Sequence, residues 1–223
     1  MLYTSKLFLT FIFFSFIGWI WEVIYFLVTE RKFINRGFMI GPMCPIYGAG
    51  GLLIVLLLKK YMDDPVILFI LTMLLCSVLE YYASYFIEKI FKIRWWDYSD
   101  KKFNINGRIY LLGALAFGTL GMVAIYFVFP AIMKFLGGFN PKVIYIVSTF
   151  LLIVFIVDLV QSIFIARKFK ITAKNLKGDS TEKIVKFKET IFNTSILTKR
   201  LYESFPKLII KFDLLEKKKQ KKP

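Results

Sequence analysis

Long apolar blocks are the feature that most constrains the fold of this 223-residue chain. Five of them, at 7–28, 38–58, 65–87, 109–131 and 143–165, have about the length that a helix needs to cross roughly 30 Å of hydrocarbon. Lipid offers no hydrogen-bond partners, so the backbone of a spanning block has to be helical. The sequence therefore predicts an all-α, polytopic membrane helical bundle with about five transmembrane helices.

The distribution of cations predicts the orientation of these helices. The chain has 31 lysines and arginines against 15 acidic residues, a net charge of +16. Most of the cations lie in the loops 30–36 and 88–108 and in the segment after Arg167, which share one side of a five-span chain. The positive-inside rule assigns that side to the cytoplasm, so we expect the N-terminus outside and the C-terminus inside. Because these cations flank membrane segments, the lipid bilayer explains them, and nucleic acid is not expected as a partner.

Two domains follow from this division, a transmembrane helical domain at 1–166 and a basic cytoplasmic tail at 167–223. In the tail, apolar residues recur at helical spacing between lysines: Ile184, Phe187, Ile191, Leu197, Leu201, Phe205 and Leu208. This pattern predicts amphipathic helices that lie on the anionic lipids of the cytoplasmic leaflet. A tail that binds a partner protein is the alternative.

The second apolar block is irregular in its first half. It contains Gly41, Pro42, Pro45, Tyr47 and Gly48 before a regular run of leucine, isoleucine and valine. Proline removes a helical hydrogen bond, and exposed backbone groups are costly in lipid. We therefore expect a broken or kinked helix that faces the bundle or a wet cavity. A closely packed interface of small residues is the alternative.

Three acidic residues lie inside the apolar blocks, where ionisable groups usually mark function or pairing. Glu22, Glu80 and Asp158 each precede the cytoplasmic end of a block by a similar distance, about 10 Å along a helix. We expect them to form one layer with nearby polar residues. The candidate polar site comprises Glu22, Glu80, Ser84, Glu88, Asp158, Gln161, Arg36, Arg94, Asp97, Asn106 and Arg108. Simple charge pairing between the acids and the arginines is the alternative.

The loop after the third block is rich in aromatic residues. Trp95, Trp96 and Tyr98 suit the headgroup region of a bilayer, although the loop could instead form a cap over the acids. The segments 31–37 and 101–107 also resemble each other, and each precedes an apolar block. This similarity suggests that the first four helices are two copies of one helical hairpin.

Two groups of motifs resemble a known family. One joins Asn35-Arg-Gly-Phe with Gly41-Pro-Met-Cys-Pro-Ile-Tyr-Gly48. The other joins Glu80-Tyr with Arg94-Trp-Trp-Asp-Tyr-Ser99 and Phe103-Asn-Ile-Asn-Gly-Arg108. Over about residues 8–165 the chain is similar to the ABC-transporter type IV, or CmpB-like, family of bacterial membrane proteins. The resemblance implies a multi-pass protein of the bacterial plasma (inner) membrane, and it supplies no catalytic residues.

A component of a membrane transporter or permease, with a polar site facing the cytoplasm, is the function that this sequence favours. The chain has no phosphate-binding loop of the Gly-x-x-x-x-Gly-Lys-Ser/Thr type, so a separate ATPase subunit is the expected partner, together with a second copy of the chain. An intramembrane protein or enzyme that acts on a lipid or isoprenoid headgroup is one alternative, and a membrane scaffold is another. Histidine is absent, and neither a metal nor another cofactor is expected.

Overall fold

The computed structural model of the protein describes residues 1–31, 33–176, 180–205 and 208–210. In chain order the helices are α1 Leu2–Glu30, α2 Pro45–Leu53, α3 Pro65–Phe91, α4 Leu111–Val123, α5 Phe129–Gly137, α6 Pro141–Asn175, α7 Ser180–Thr194 and α8 Ile196–Glu203. Four stretches are long and apolar enough to cross a membrane: α1, α3, the continuous α4–α5 and α6. The chain is therefore an all-α, multi-pass membrane protein.

The second apolar block differs from the other four. Its helix begins at Pro45 and not at residue 38, and α2 continues through a π-helical turn at Ile54–Leu58 and a 3-10 turn at Lys59–Tyr61. Proline suits the first turn of a helix, and the preceding Cys44 is extended, as a residue before proline prefers. The resulting helix is shorter than the four spanning stretches. A count of five spans and the orientation of the bundle therefore stay predictions.

The first four apolar stretches fold as two similar helical hairpins. In the first, α1 packs against α2, and in the second, α3 packs against α4. The second helix of each hairpin contains a π-helical turn, Ile54–Leu58 in one and Ala124–Val128 in the other. Positive φ angles are found at Gly37, 115°, and at Gly107, 66°. These two glycines are as far apart in sequence as the two π-helical turns. These matched features support the duplication that the sequence suggests.

Close contacts between glycines and the neighbouring helix also match in the two hairpins. A Cβ atom on Gly48 would meet Phe11 on α1, and one on Gly118 would meet Phe69 on α3. Gly51 and Gly121 likewise approach the residues one turn further along α1 and α3. The separation in sequence from Gly48 to Gly118 is larger than that from Phe11 to Phe69. The second hairpin therefore has the longer loop between its helices.

The two loops that follow α1 and α3 lie at one end of the bundle, which we call the loop end. There β1 Ile93–Arg94 pairs antiparallel with β4 Ile209–Ile210, and β2 Asn104–Ile105 pairs antiparallel with β3 Ile109–Tyr110. The helix α6 continues to Asn175, beyond the predicted domain boundary at 166.

The tail folds back onto the loop end. Phe187, Ile191 and Leu201 are buried in one cluster with Trp95 and Phe169. Most of the apolar stripe that the sequence assigns to the lipid surface therefore packs on the protein, whereas Ile184 and Leu197 are exposed. Trp95, predicted for the headgroup region, is only 3% exposed. The contact between the tail and Trp95 is favourable, because both sides bury apolar area that would otherwise face water.

Candidate functional site

Glu22 on α1 accepts hydrogen bonds from the two segments that follow it. Its Oε1 accepts from the Tyr47 hydroxyl at 2.6 Å, and its Oε2 lies 3.4 Å from Nη2 of Arg36. Gly18, one turn earlier, makes room for the tyrosine, since a Cβ there would lie 2.2 Å from Cγ of Tyr47. The carboxylate is thus held between α1, the loop and α2.

Glu80 on α3 has a different set of neighbours. Its Oε1 accepts a hydrogen bond from the Tyr98 hydroxyl at 3.3 Å, and the Tyr98 ring lies 4.7 Å from the ring of Tyr110. In the described ranges, no lysine or arginine lies within ion-pair distance of Glu80. Burial, and then the nearby carboxylates of Glu80 and Glu22, raise the pKa of Tyr98. The Tyr98 hydroxyl is therefore close enough to interact electrostatically with both glutamates, and it is protonated at neutral pH.

The two glutamates occupy equivalent places in the duplicated hairpins. Phe11 on α1 and Phe69 on α3 are equivalent residues, because each lies against the matching glycine of its hairpin. Glu22 and Glu80 are separated in sequence by the same number of residues as these two phenylalanines. Each glutamate accepts a hydrogen bond from a tyrosine that comes later in its own hairpin, Tyr47 for Glu22 and Tyr98 for Glu80. The structure thus brings two carboxyls and two tyrosine hydroxyls together at the loop end of the bundle.

Asp158 on α6, the third predicted acid, has another role. Its two oxygens accept the backbone N–H groups of Ile40 and Gly41, each at 2.8 Å, and Oδ1 also accepts from the buried hydroxyl of Ser162 at 3.0 Å. A Cβ on Gly41 would lie 2.9 Å from Oδ2 of Asp158. Asp158 therefore anchors the broken segment, whereas its neighbour Gln161 is exposed.

The broken segment keeps its backbone satisfied without a helix. The N–H of Cys44 donates to the carbonyl of Ser15 at 3.0 Å, and the side chain of Asn35 donates to the carbonyl of Ile40 at 3.0 Å. Non-helical backbone at membrane depth requires such partners. Both interpretations of this segment hold in part, because it is non-helical up to Cys44 and closely packed at Gly48. Pro42 is exposed, and Pro45 opens α2.

We expect the substitution Asp158→Asn to loosen this segment. Asparagine has one acceptor oxygen where aspartate has two, so one of the N–H groups of Ile40 and Gly41 loses its partner, at a cost of about 1–3 kcal/mol. Cys44 is buried at the end of this segment, and Cys76 is buried on α3. Alkylation by maleimide, followed by mass spectrometry, should become faster at Cys44 and not at Cys76. Equal rates in the variant and the parent protein at Cys44 would contradict the anchoring role.

The arginines of the second loop are engaged in an internal ion-pair network. Glu88 accepts from Arg94 and Arg108, each at 2.9 Å, and Arg94 also lies 3.0 Å from Asp97. Arg108 donates in addition to the buried Ser84 at 2.9 Å. Because these charges pair with one another, this part of the predicted site follows the charge-pairing alternative, and it fixes the loop against α3.

Asn106 ties the same loop to the helix at a second place. Its side chain donates to the hydroxyl of Tyr81 at 2.9 Å, and its carbonyl accepts from Arg94 at 3.2 Å. Together with the Tyr98 contact, this places the loop against Glu80. That the loop forms a cap over the acids stays a prediction. The sequence pattern assigns Tyr98 to the headgroup region. Glu80 and Tyr98 both belong to the motifs that resemble the family, and this is the sequence signal that could have predicted their contact.

The tail closes the first loop from the other side, and the sequence gives no signal of this contact. The Ser204 hydroxyl donates to the carbonyl of Asn35 at 2.7 Å, and Arg36 donates to the carbonyl of Ser204. Arg200 lies beside the carbonyl of Phe38 at 3.5 Å, and burial lowers the pKa of its guanidinium. The segment after α8 thus covers the region where Glu22 and Asp158 meet the loop.

No group of three or more cysteine and acidic side chains converges as metal ligands would in the part of the chain that the structure describes. Comparison with curated proteins and comparison with solved structures each found no significant match. Comparison with known families found a match over residues 9–163, to the family described as "Putative ABC-transporter type IV". This range includes both hairpins, the polar cluster and most of α6, and the chain belongs to that family.

Proposed function

We propose that this protein is the membrane component of a transporter, with the cluster of Glu22, Glu80, Tyr47 and Tyr98 as its solute site. The observation that carries the proposal is Glu80, a partly buried carboxyl with a tyrosine hydroxyl beside it and no cation within ion-pair distance in the described ranges. Burying a charged carboxyl without a partner is expensive. Such a group is retained where it binds a proton or a cationic solute.

The position of the cluster supports the same proposal. Glu22 and Glu80 are equivalent residues of two repeated hairpins, and the sites of many transporters lie where structural repeats meet. The broken segment before α2 adds non-helical backbone at the same end of the bundle. The excess of cations in the loops assigns this end to the cytoplasm. The site would therefore open towards the cytoplasm.

ATP hydrolysis would come from a separate subunit, because the sequence has no phosphate-binding loop of its own. Few helices enclose little space, so the complete pathway would require a second copy of the chain. The alternative of a headgroup-processing enzyme receives less support. Arg36, Arg94 and Arg108, which would have to bind the phosphate, already lie against carboxylates.

Charge movement in proteoliposomes tests the proposal. Solid-supported-membrane currents would be recorded on concentration jumps of protons, Na⁺, K⁺ and a mixture of amino acids. We expect a transient current for at least one of these solutes, and a loss of at least tenfold in Glu80→Gln and in Glu22→Gln. Glutamine keeps the size of the side chain and removes its charge, so it isolates the role of the carboxylate.

Glu30→Gln is the matched control, because Glu30 is an exposed glutamate at the end of α1. It should leave the current unchanged. A current that is equal in Glu80→Gln and Glu30→Gln, or no current with any of the four probes and an added ATPase, would contradict the proposal. Melting temperatures in detergent would separate loss of the site from loss of the fold.

A further inference from the structure

A short stretch of the tail crosses both loops at the loop end. The hydroxyl of Ser204, a fully buried residue, donates to the carbonyl of Asn35 in the first loop at 2.7 Å. The Phe205 ring lies 4.7 Å from the ring of Trp95 in the second loop. Further along the chain, β4 pairs antiparallel with β1, which directly precedes Trp95. We call Ser204, Phe205 and β4 the strap, because together they join two loops that are distant in sequence.

The strap reaches both glutamates through these loops. Arg36 in the first loop donates to the backbone of the strap, and its Nη2 also lies 3.4 Å from Oε2 of Glu22. In the second loop, Trp95 contacts the strap and lies three residues before Tyr98, whose hydroxyl donates to Glu80 at 3.3 Å. Release of the strap would therefore free one loop beside each glutamate.

Arg200 on α8 is buried next to the strap with few partners. Its Nη2 lies 3.5 Å from the carbonyl of Phe38, whereas its Nε and Nη1 are buried and have no hydrogen-bond partner among the described residues. Burial lowers the pKa of this guanidinium, and the electrostatic effects of Asp158 and Cys44 offset only part of that shift. Buried N–H groups without partners are costly. Apolar contacts thus hold the tail in place against the cost of burying Arg200.

We infer that the strap is a reversible lid, which closes the loop end and inhibits the glutamate cluster while the tail is docked. With the strap in place, both loops are fixed, and the end towards which the proposed solute site opens is covered. When the strap is released, the loops are free to move away from Glu22 and Glu80, and the guanidinium of Arg200 recovers its hydration. The inhibitory role rests on the proposed function, whereas the closure itself is measurable without any transport.

Alkylation of Cys44 tests the closure. Cys44 is buried at the end of the first loop and interacts electrostatically with Arg200, so its thiol reports on the covered region. The full-length protein in nanodiscs would be treated with maleimide and analysed by mass spectrometry. In Ser204→Ala with Phe205→Ala, we expect Cys44 to react about tenfold faster or more, because the rate at a buried thiol follows the fraction of open molecules. The rate at Cys76 on α3 should not change, which shows that the bundle is intact.

Ile196→Ala with Glu203→Ala is the matched control, since both side chains are on α8 and exposed. This variant should leave the rate at Cys44 unchanged. Equal rates at Cys44 in the strap variant and in this control would overturn the inference.

Arg200→Met tests the reversibility in the opposite direction. Methionine keeps apolar volume and removes the buried N–H groups, so the tail should dock more tightly. We expect alkylation of Cys44 to become about fivefold slower or more. An unchanged or faster rate would show that burial of Arg200 does not oppose docking, and the lid would not be reversible in the way inferred here.

Solute currents separate the lid from the proposed function. In the proteoliposome assay, Ser204→Ala with Phe205→Ala should increase the current about threefold or more, because a larger fraction of molecules is open. A parent protein that carries current, with an equal or smaller current in this variant, would overturn the inhibitory role. Absence of current in both, together with faster alkylation of Cys44 in the variant, would instead contradict the transport function and leave the closure standing.

Discussion

Replacing Trp95 by alanine should release the tail from the loop end and raise its rate of cleavage by trypsin at least tenfold. The Trp95 ring contacts Phe38 from the first loop, Phe169 from α6 and Phe205 after α8. Loss of a buried tryptophan typically costs about 3–5 kcal/mol. Cleavage within α7, which is rich in lysine, tracks the fraction of molecules in which the tail is open.

Phe103→Ala is the control for this experiment, because it removes an aromatic side chain that is exposed and outside the buried cluster. Its cleavage rate should equal that of the parent protein. If trypsin cleaved Trp95→Ala no faster than Phe103→Ala, the tail would not depend on this cluster. Its amphipathic pattern would then again favour the lipid surface.

A methyl group on Gly48 should destabilise the first hairpin. A Cβ atom there would lie 2.1 Å from Oγ of Ser15 and 2.7 Å from the backbone carbonyl of Phe11. The carbonyl belongs to α1 and has no freedom to rotate away, so the two helices must separate. We expect Gly48→Ala to cost about 1–3 kcal/mol and to lower the melting temperature in detergent. It should also weaken the solute site, because α2 carries Tyr47 to Glu22.

Gly137→Ala is the matched control, since no heavy atom lies within 4 Å of the added Cβ. The duplication adds a second expectation. Gly118→Ala should also lower the melting temperature, although less than Gly48→Ala, because its added Cβ meets the Phe69 side chain and not backbone. Equal melting temperatures for Gly48→Ala and Gly137→Ala would show that close packing of α1 and α2 is not required.

The sequence alone predicts the helical spans, because each depends on the hydrophobicity of one continuous segment. It also predicts that the second block is irregular, since the conformational limits of Pro42 and Pro45 are local. The four spanning stretches and the helix start at Pro45 agree with this. The acids at 22, 80 and 158 were likewise identified by composition, since ionisable groups are rare in apolar segments.

Only the tertiary structure decided what these acids contact. Asp158 binds the backbone of Ile40 and Gly41, which are far from it in sequence, whereas Glu80 accepts from Tyr98 and has no cation partner in the described ranges. The three acids look alike in sequence because each is one carboxyl in an apolar run.

The tail shows the same limit. Its helical period indicates an apolar face, and the structure shows which surface covers that face. Lipid and the side chains around Trp95 are both apolar, so the same sequence pattern is compatible with packing against either surface. Hydrophobicity along the chain thus determined which residues leave water, and the long-range contacts determined where they go.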